Sequence, residues 1–206
     1  MSDTPSIIYI VDDDHGLRAS LSWLVDSMGL TARAYGSATE FLAAFDPEIP
    51  ACLVLDVRMP EVGGFEVQQW LRDHGSRMPV IFVSGHGDIP MSVRAMKLGA
   101  FDFIEKPYNA QQLLERIQAA VRTAAIQHEE RVKRRALGER LASLSQRERE
   151  VLKLVVEGKT SKLIARELHI TVKTVDVHRT HVREKLGSST VAELVRDVLS
   201  LTDPGV

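Results

Sequence analysis

Five short apolar runs, four of them leading into a polar side chain with chemistry of its own, constrain this chain more than any other feature. Asp12 and Asp13 follow Ile7 to Val11, Asp56 follows Leu53-Val54-Leu55, Ser84 follows Val80 to Val83, and Lys106-Pro107 follow Phe103-Ile104-Glu105. The runs predict strands at Ile7 to Val11, Cys52 to Leu55, Val80 to Val83 and Phe101 to Ile104, with a weaker one at Thr31 to Tyr35. Between them Leu17, Leu21, Leu24, Val25 and Met28 recur at helical spacing, as do Phe41, Leu42 and Phe45, then Val67, Trp70 and Leu71. Strands alternating with helices predict a doubly wound sheet of five parallel strands. The carboxyl ends of such strands share one edge, so the polar groups converge in one crevice. Gly29 and Gly99 stand where helices must stop, Asp14 suits a helix entry, and Asn109 suits the cap of a last helix through Leu113, Leu114, Ile117 and Val121.

A chain of 206 residues leaves room for a second small domain. No apolar stretch approaches the roughly 18 residues of a membrane span, and the N-terminus lacks a secretory pattern, so the expected location is the cytoplasm with no membrane partner. Cys52 is the single cysteine, which excludes an internal disulfide; inside its apolar run it reads as a core residue. Net charge is -2 but unevenly divided: residues 1–124 hold 10 basic and 16 acidic side chains, residues 125–206 hold 16 and 12. A basic back half suggests a nucleic-acid partner, although a solvated surface would carry the same charge.

The back half reads as a four-helix bundle. The helix before it runs into Gln127 to Arg135, charged but without proline, so residues 123–140 are expected to form a helical linker that Gly138 interrupts before Leu141 and Leu144. Its thin stripe of Ile117, Val121, Ala124, His128 and Val132 suits either a solvated spacer or pairing with a second copy. Ser145-Gln146-Arg147-Glu148 is a capping box opening a helix through Val151, Leu152, Val155 and Val156 to Gly158. Thr160 suits the cap of a short helix through Ile164, Ala165 and Leu168, and Thr171 that of a third through Val172, Val175, Val182 and Leu186, ended by Gly187. A fourth, through Val191, Leu194, Val195, Val198 and Leu199, closes the core.

Carboxylates crowded at a strand edge repel one another, and the cost points to a cation. Mg²⁺ takes oxygen ligands and keeps several waters, so Asp13 and Asp56 suit direct ligation and Asp12 ligation through water. A carboxylate also attacks phosphorus to form an aspartyl phosphate, with Lys106 and the Ser84 hydroxyl on the oxygens of the transferred group. Singly, each has a plainer reading: a strand-end cap, a surface cation, a turn residue. An aspartyl-nucleophile phosphatase would use the same groups, but it needs an acid/base Asp two residues past the nucleophile, where this chain has Arg58.

Four segments carry a family resemblance: Val11-Asp12-Asp13-Asp14, Leu55-Asp56-Val57-Arg58-Met59-Pro60 with Gly63-Gly64, Val83-Ser84-Gly85-His86-Gly87-Asp88, and Glu105-Lys106-Pro107-Tyr108. Over residues 5–122 the chain resembles the receiver domain of bacterial two-component response regulators. The resemblance implies a flavodoxin-like fold, Asp56 as phospho-acceptor, and Asp12, Asp13, Asp56 and the Arg58 backbone carbonyl as a Mg²⁺ site. Ser84 and Lys106 would bind the phosphoryl group. Phe103 matches the aromatic switch residue that turns inward with Ser84, although plain core packing would also place an aromatic there. Arg58 and His86 occupy positions that tune hydrolysis in the family.

About residues 140–202 resemble a LuxR-type helix-turn-helix domain, expected to occupy 141–206, through Leu144 to Leu152, Ile164-Ala165-Arg166-Glu167-Leu168, Thr174 to Arg179, and Lys185-Leu186-Gly187. The two resemblances together describe the NarL/FixJ class, and Gly85 to Pro90 with Ala95 to Ala100 look closest to the FixJ-like branch. Ser161 stands in place of a frequent Asn and Leu163 in place of a frequent polar residue. By motif position the third helix enters the major groove, with Asp176, Val177, Thr180 and His181 towards the bases. Lys159, Ser161, Lys162, Lys173, Thr174, Arg179 and Arg183 would meet phosphates, and any of these also suits a solvated helix face. His178 and His181 lack the further ligands zinc requires.

The expected protein is therefore a transcription factor rather than an enzyme. A sensor histidine kinase phosphorylates Asp56 with Mg²⁺. The protein then pairs through the helix Pro90 to Leu98 and the strand Phe101 to Ile104, and the homodimer binds double-stranded promoter DNA; RNA polymerase is a further partner that this role admits. The alternative is a phosphorylation-independent regulator with a vestigial receiver, which a costly acidic pocket argues against.

Overall fold

The computed structural model describes residues 6–85 and 89–202. These fall into two compact units, residues 1–130 and 131–206.

In the first unit, β1 (Ile7–Val11), β2 (Thr31–Tyr35), β3 (Ala51–Asp56), β4 (Val80–Ser84) and β5 (Asp102–Glu105) form one sheet in the order β2-β1-β3-β4-β5. Every pairing is parallel. The helices α1 (His15–Asp26), α2 (Ala38–Ala44), α3 (Gly64–Asp73), α4 (Ile89–Lys97) and α5 (Ala110–Ala142) follow the strands in turn. Because side chains alternate across a strand, Ile7, Tyr9 and Val11 enter one core with Phe41, Val67 and Phe82, while Ile8 and Ile10 enter the other with Leu21, Val25, Leu113 and Ile117. Burial on both faces is why β1, β3 and β4 carry no charged or amide side chain before their last residues, whereas β5, only partly buried, includes Asp102. The edge strand β2 keeps only part of its surface covered, and there the pattern is weakest.

The local signals act as expected. The Asp14 carboxylate accepts the Gly16 and Leu17 amides at the start of α1, and Asn109 accepts the Gln112 amide at the start of α5. Gly29 and Gly99 adopt φ of 71° and 81° just past α1 and α4. Cys52 is fully buried, and burial pushes its thiol up to about 12. Two details differ. β3 is longer by one residue at each end, β4 by one at its end, and β5 is displaced by one, so Asp56 and Ser84 are themselves the last strand residues. Met28 lies beyond the end of α1 and is exposed rather than buried with Leu21 and Val25.

In the second unit α6 (Gln146–Val156), α7 (Ser161–Glu167), α8 (Val172–Leu186) and α9 (Val191–Thr202) surround Val151, Val155, Ile164, Val175, Val182, Leu186 and Leu194. The capping box closes as predicted, the Thr171 hydroxyl caps α8, and Gly187 ends it at φ 71°. Thr160 occupies the N-cap of α7 but makes no side-chain capping bond.

Gly138 does not interrupt the preceding helix: α5 continues to Ala142. A glycine in a helix interior costs only about 1 kcal/mol, and packing of Leu137 and Leu141 on the second core outweighs it. Arg140 adds a bond from Nη1 to the Leu186 carbonyl at the end of α8, 3.1 Å away. Among the described residues no helix is long and apolar enough to cross a membrane.

Gly64 opens α3 against the end of β3, where a Cβ would press on the Asp56 carbonyl oxygen, the Phe82 ring and the Val57 backbone. Gly64→Ala should lower stability by roughly 1–3 kcal/mol, the usual cost of overpacking, measured by urea unfolding followed through tryptophan fluorescence.

Candidate functional site

The sheet order reverses between β1 and β3, and the polar groups gather at that switch point. Asp12 and Asp13 leave β1, Asp56 ends β3, Ser84 ends β4, and Lys106 follows β5. Lys106 Nζ lies 2.7 Å from Asp12 Oδ2 and 3.4 Å from Asp56 Oδ1. Carboxylate oxygens of Asp12, Asp13 and Asp56 come within 4.8 Å of one another, an all-oxygen donor set that fits a hard cation. Asp12 and Asp56 are buried; Asp13 is exposed.

Burial raises the Asp56 carboxyl above its ordinary range, Asp12 and Asp13 add to the effect, and Lys106 opposes it. Burial works against the Lys106 charge as well, but the hydrogen bond to Asp12 and the charge of Asp56 outweigh it and hold the ammonium above its usual value. The crevice therefore keeps Lys106 charged while leaving negative charge on the carboxylates under-compensated.

Neighbours fix this geometry. Asp12 Oδ1 accepts the Asp14 amide at 2.9 Å, and Arg18 Nη1 donates to the Asp12 carbonyl at 2.6 Å. Arg18 was not legible as a site residue, since its partner lies six positions back around a loop. Ser84 is buried, with Oγ 3.9 Å from Met91 Sδ of α4. Phe103 is half-buried against the core that holds Phe82 and Met91. Arg58 is exposed two residues beyond β3, and His86 lies outside the described residues. The Lys106-Pro107 peptide is cis.

A second constellation lies on α7 and α8, joined by a tight turn in which His169 takes φ 55°. Asp176, Val177, Thr180 and His181 are exposed on α8, while Val175 and Val182 are buried, so the helix is amphipathic with the polar group outward. Lys162, Lys173 and Arg183 are exposed and Thr174 is half-buried. The other three of the expected DNA-facing residues, Lys159, Ser161 and Arg179, are half-buried, and each has a side-chain partner within the domain. Lys159 Nζ bonds Glu167 at 2.7 Å and Glu157 at 3.0 Å, Ser161 Oγ donates to Asp176 Oδ1 at 2.8 Å, and Arg179 Nη1 donates to Ser161 Oγ at 3.1 Å. Among the described residues, metal-ligating side chains gather only at Asp12, Asp13 and Asp56, and not at His178 and His181.

Glu148 does more than its capping box announced. The buried carboxylate accepts the Ser145 amide and the Lys185 ammonium, each at 2.7 Å, and lies 3.9 Å from His181 Nδ1. It thus ties the first turn of α6 to the last turn of α8. The Lys185 bond, then the Ser145 amide, depress its carboxyl to about 2. A depressed carboxylate adds stability above its unfolded value of 4.5 and loses it as pH falls towards 2. Glu148→Gln should cost about 1–3 kcal/mol at neutral pH, and the difference from wild type should shrink between pH 4.5 and 2, followed by helical circular dichroism in denaturant titrations.

Residues 8–118 match the family described as response regulator receiver domain, and residues 142–198 that described as bacterial regulatory proteins, luxR family. The chain is 45% identical over 203 residues to the response regulator protein TodT of Pseudomonas putida, covering 98% of this chain and 89% of that one. It is 42% identical to the transcriptional regulatory protein FixJ of Azorhizobium caulinodans, covering 93% and 91%. Among solved structures, the response regulator StyR superposes with a TM-score of 0.85 at 39% identity, covering 95% of this chain and 99% of that one. Full-length FixJ from B. japonicum gives 0.55 at 37% identity, covering 97% and 98%.

Proposed function

This chain belongs to the two-component response regulators that join a receiver domain to a LuxR-type DNA-binding domain, and from that premise we propose how its residues carry the signal. It is a transcription regulator, not a metabolic enzyme. In the proposed division of labour residues 5–122 accept the phosphoryl group, 123–140 connect, and 141–206 bind promoter DNA, with the cytoplasm as the place of action.

Asp56 is the acceptor. Its carboxylate attacks the phosphorus of a phosphohistidine on a sensor kinase; the new P–O bond forms as the P–N bond breaks, and the electron pair leaves on the imidazole. Bound Mg²⁺ supplies charge neutralisation around the transferred oxygens. Asp13 and Asp56, with the Arg58 carbonyl, are its proposed direct ligands, because the Asp12 oxygens already accept the Asp14 amide and Lys106. Asp12 then acts through water. Lys106 stands within reach of an oxygen added to Asp56, and Ser84, at the end of the neighbouring strand, is the second group on it, with Phe103 following its movement. The observation that carries this reading is the lysine held 3.4 Å from a buried Asp56 whose charge the fold disfavours.

Phosphorylation is proposed to act through pairing. Ile89, Val93 and Met96 of α4 are exposed, which supports that helix and β5 as the homodimer face. Two DNA-binding domains held on adjacent half-sites gain affinity by roughly 10²-fold or more through effective concentration. Within each, Val177 suits a thymine methyl, Thr180 and His181 suit base edges, and Lys162, Lys173, Thr174 and Arg183 suit phosphates.

Sedimentation with Mg²⁺, with and without acetyl phosphate, checks the central step. Wild type should form dimers only with the donor and Asp56→Asn should remain monomeric. Dimers in both, or in neither when Asp56 carries the phosphoryl group, would contradict the switch.

A further inference from the structure

The Ser161 hydroxyl sits between two groups of the exposed α8 surface, donating to Asp176 at 2.8 Å and accepting from Arg179 at 3.1 Å. One hydroxyl has one proton to give and lone pairs to receive, so both bonds form at once. Ser161 is the first residue of α7, and Asp176 and Arg179 are three apart on α8, so the bridge spans the two helices of the helix-turn-helix. Thr180 Oγ1 also donates to the Asp176 carbonyl, which ties that hydroxyl down one turn further along.

An unrestrained carboxylate on a helix entering the major groove is a liability, because it repels phosphates and samples several rotamers. Here one oxygen of Asp176 is held and the cation of Arg179 is drawn to the same hydroxyl. The restrained carboxylate has its second oxygen left to accept a hydrogen bond; the major groove offers amino donors on cytosine and adenine, and the N7 acceptor beside the adenine amino group repels a carboxylate, which leaves cytosine as the favoured partner. Asp176 stands in the second turn of α8, within the N-terminal part of a recognition helix that meets base edges.

We propose that Ser161 is a positioning residue for base reading: it sets Asp176 to select cytosine and holds Arg179 beside it, instead of serving as a phosphate contact. The proposal rests on the reading of α8 as the helix that enters DNA. It differs from a phosphate role in a way that can be measured. Loss of a phosphate contact weakens binding evenly across sequences, whereas loss of a positioning bond erases preference at one base pair.

The test is selection from a random-sequence duplex library by the full-length protein with Mg²⁺ and acetyl phosphate, comparing wild type, Ser161→Ala, Ser161→Thr and Asp176→Asn. Ser161→Ala and Asp176→Asn should lose preference for G·C at the same base pair, by roughly fivefold or more. Ser161→Thr keeps the hydroxyl and should retain it, which separates the effect from a misfolded domain. Unchanged preference in Ser161→Ala, with or without evenly weaker binding, would overturn the proposal, as would a loss at a different base pair from that of Asp176→Asn. A wild type with no sequence preference would overturn the DNA-reading role itself and this inference with it.

Discussion

One ammonium between two carboxylates organises the first half of this molecule. Lys106 reaches Asp12 and Asp56 from the far side of the sheet, so the ends of β1, β3 and β5 are tied by charge as well as by the strand ladder. The arrangement is not an efficient stabiliser. Buried pairs recover their desolvation cost only with full hydrogen bonding, and here Asp12, Asp13 and Asp56 outnumber the lysine. The raised carboxyl of Asp56 expresses that imbalance. Stability is given up for an acidic crevice whose carboxylates are compatible with an added cation.

The second half uses charge differently. Glu148 is saturated by the Ser145 amide and Lys185, and its depressed carboxyl marks a pair that stabilises the fold over ordinary pH. Arg140 and Arg147 likewise spend their guanidinium groups on backbone carbonyls at the ends of α8 and α7. These bonds hold the C-terminal end of α8 and the C-terminal end of α7 before it. The groups left outward, Val177, Lys162, Lys173 and Arg183, are thereby presented to solvent from a fixed frame.

Most of the sheet was legible because strands buried on both faces admit no polar residue, so Ile7 to Val11 and Val80 to Val83 announce themselves, and the residues just after them mark the crevice. Local caps were legible for the same reason of proximity: Asp14, Asn109, Ser145 and Thr171 act on amides two or three positions away. What escaped depends on partners distant in the chain. Gly138 read as a break because helical propensity is local, whereas Leu137 and Leu141 are held by a core built from α6 to α9. Arg18, the Lys185 partner of Glu148 and the Ser161 bridge to Asp176 leave no periodic trace, so only the folded chain brings them together.

The most direct measurement is the mapping of the modified residue after reaction with a small phosphodonor, by borohydride trapping of the acyl phosphate and mass spectrometry, with and without Mg²⁺. The account predicts modification at Asp56 alone, dependent on Mg²⁺ and strongly reduced in Asp13→Asn. Modification on Asp12 or Asp13 in place of Asp56, or equal labelling of Asp56 without the cation, would contradict it.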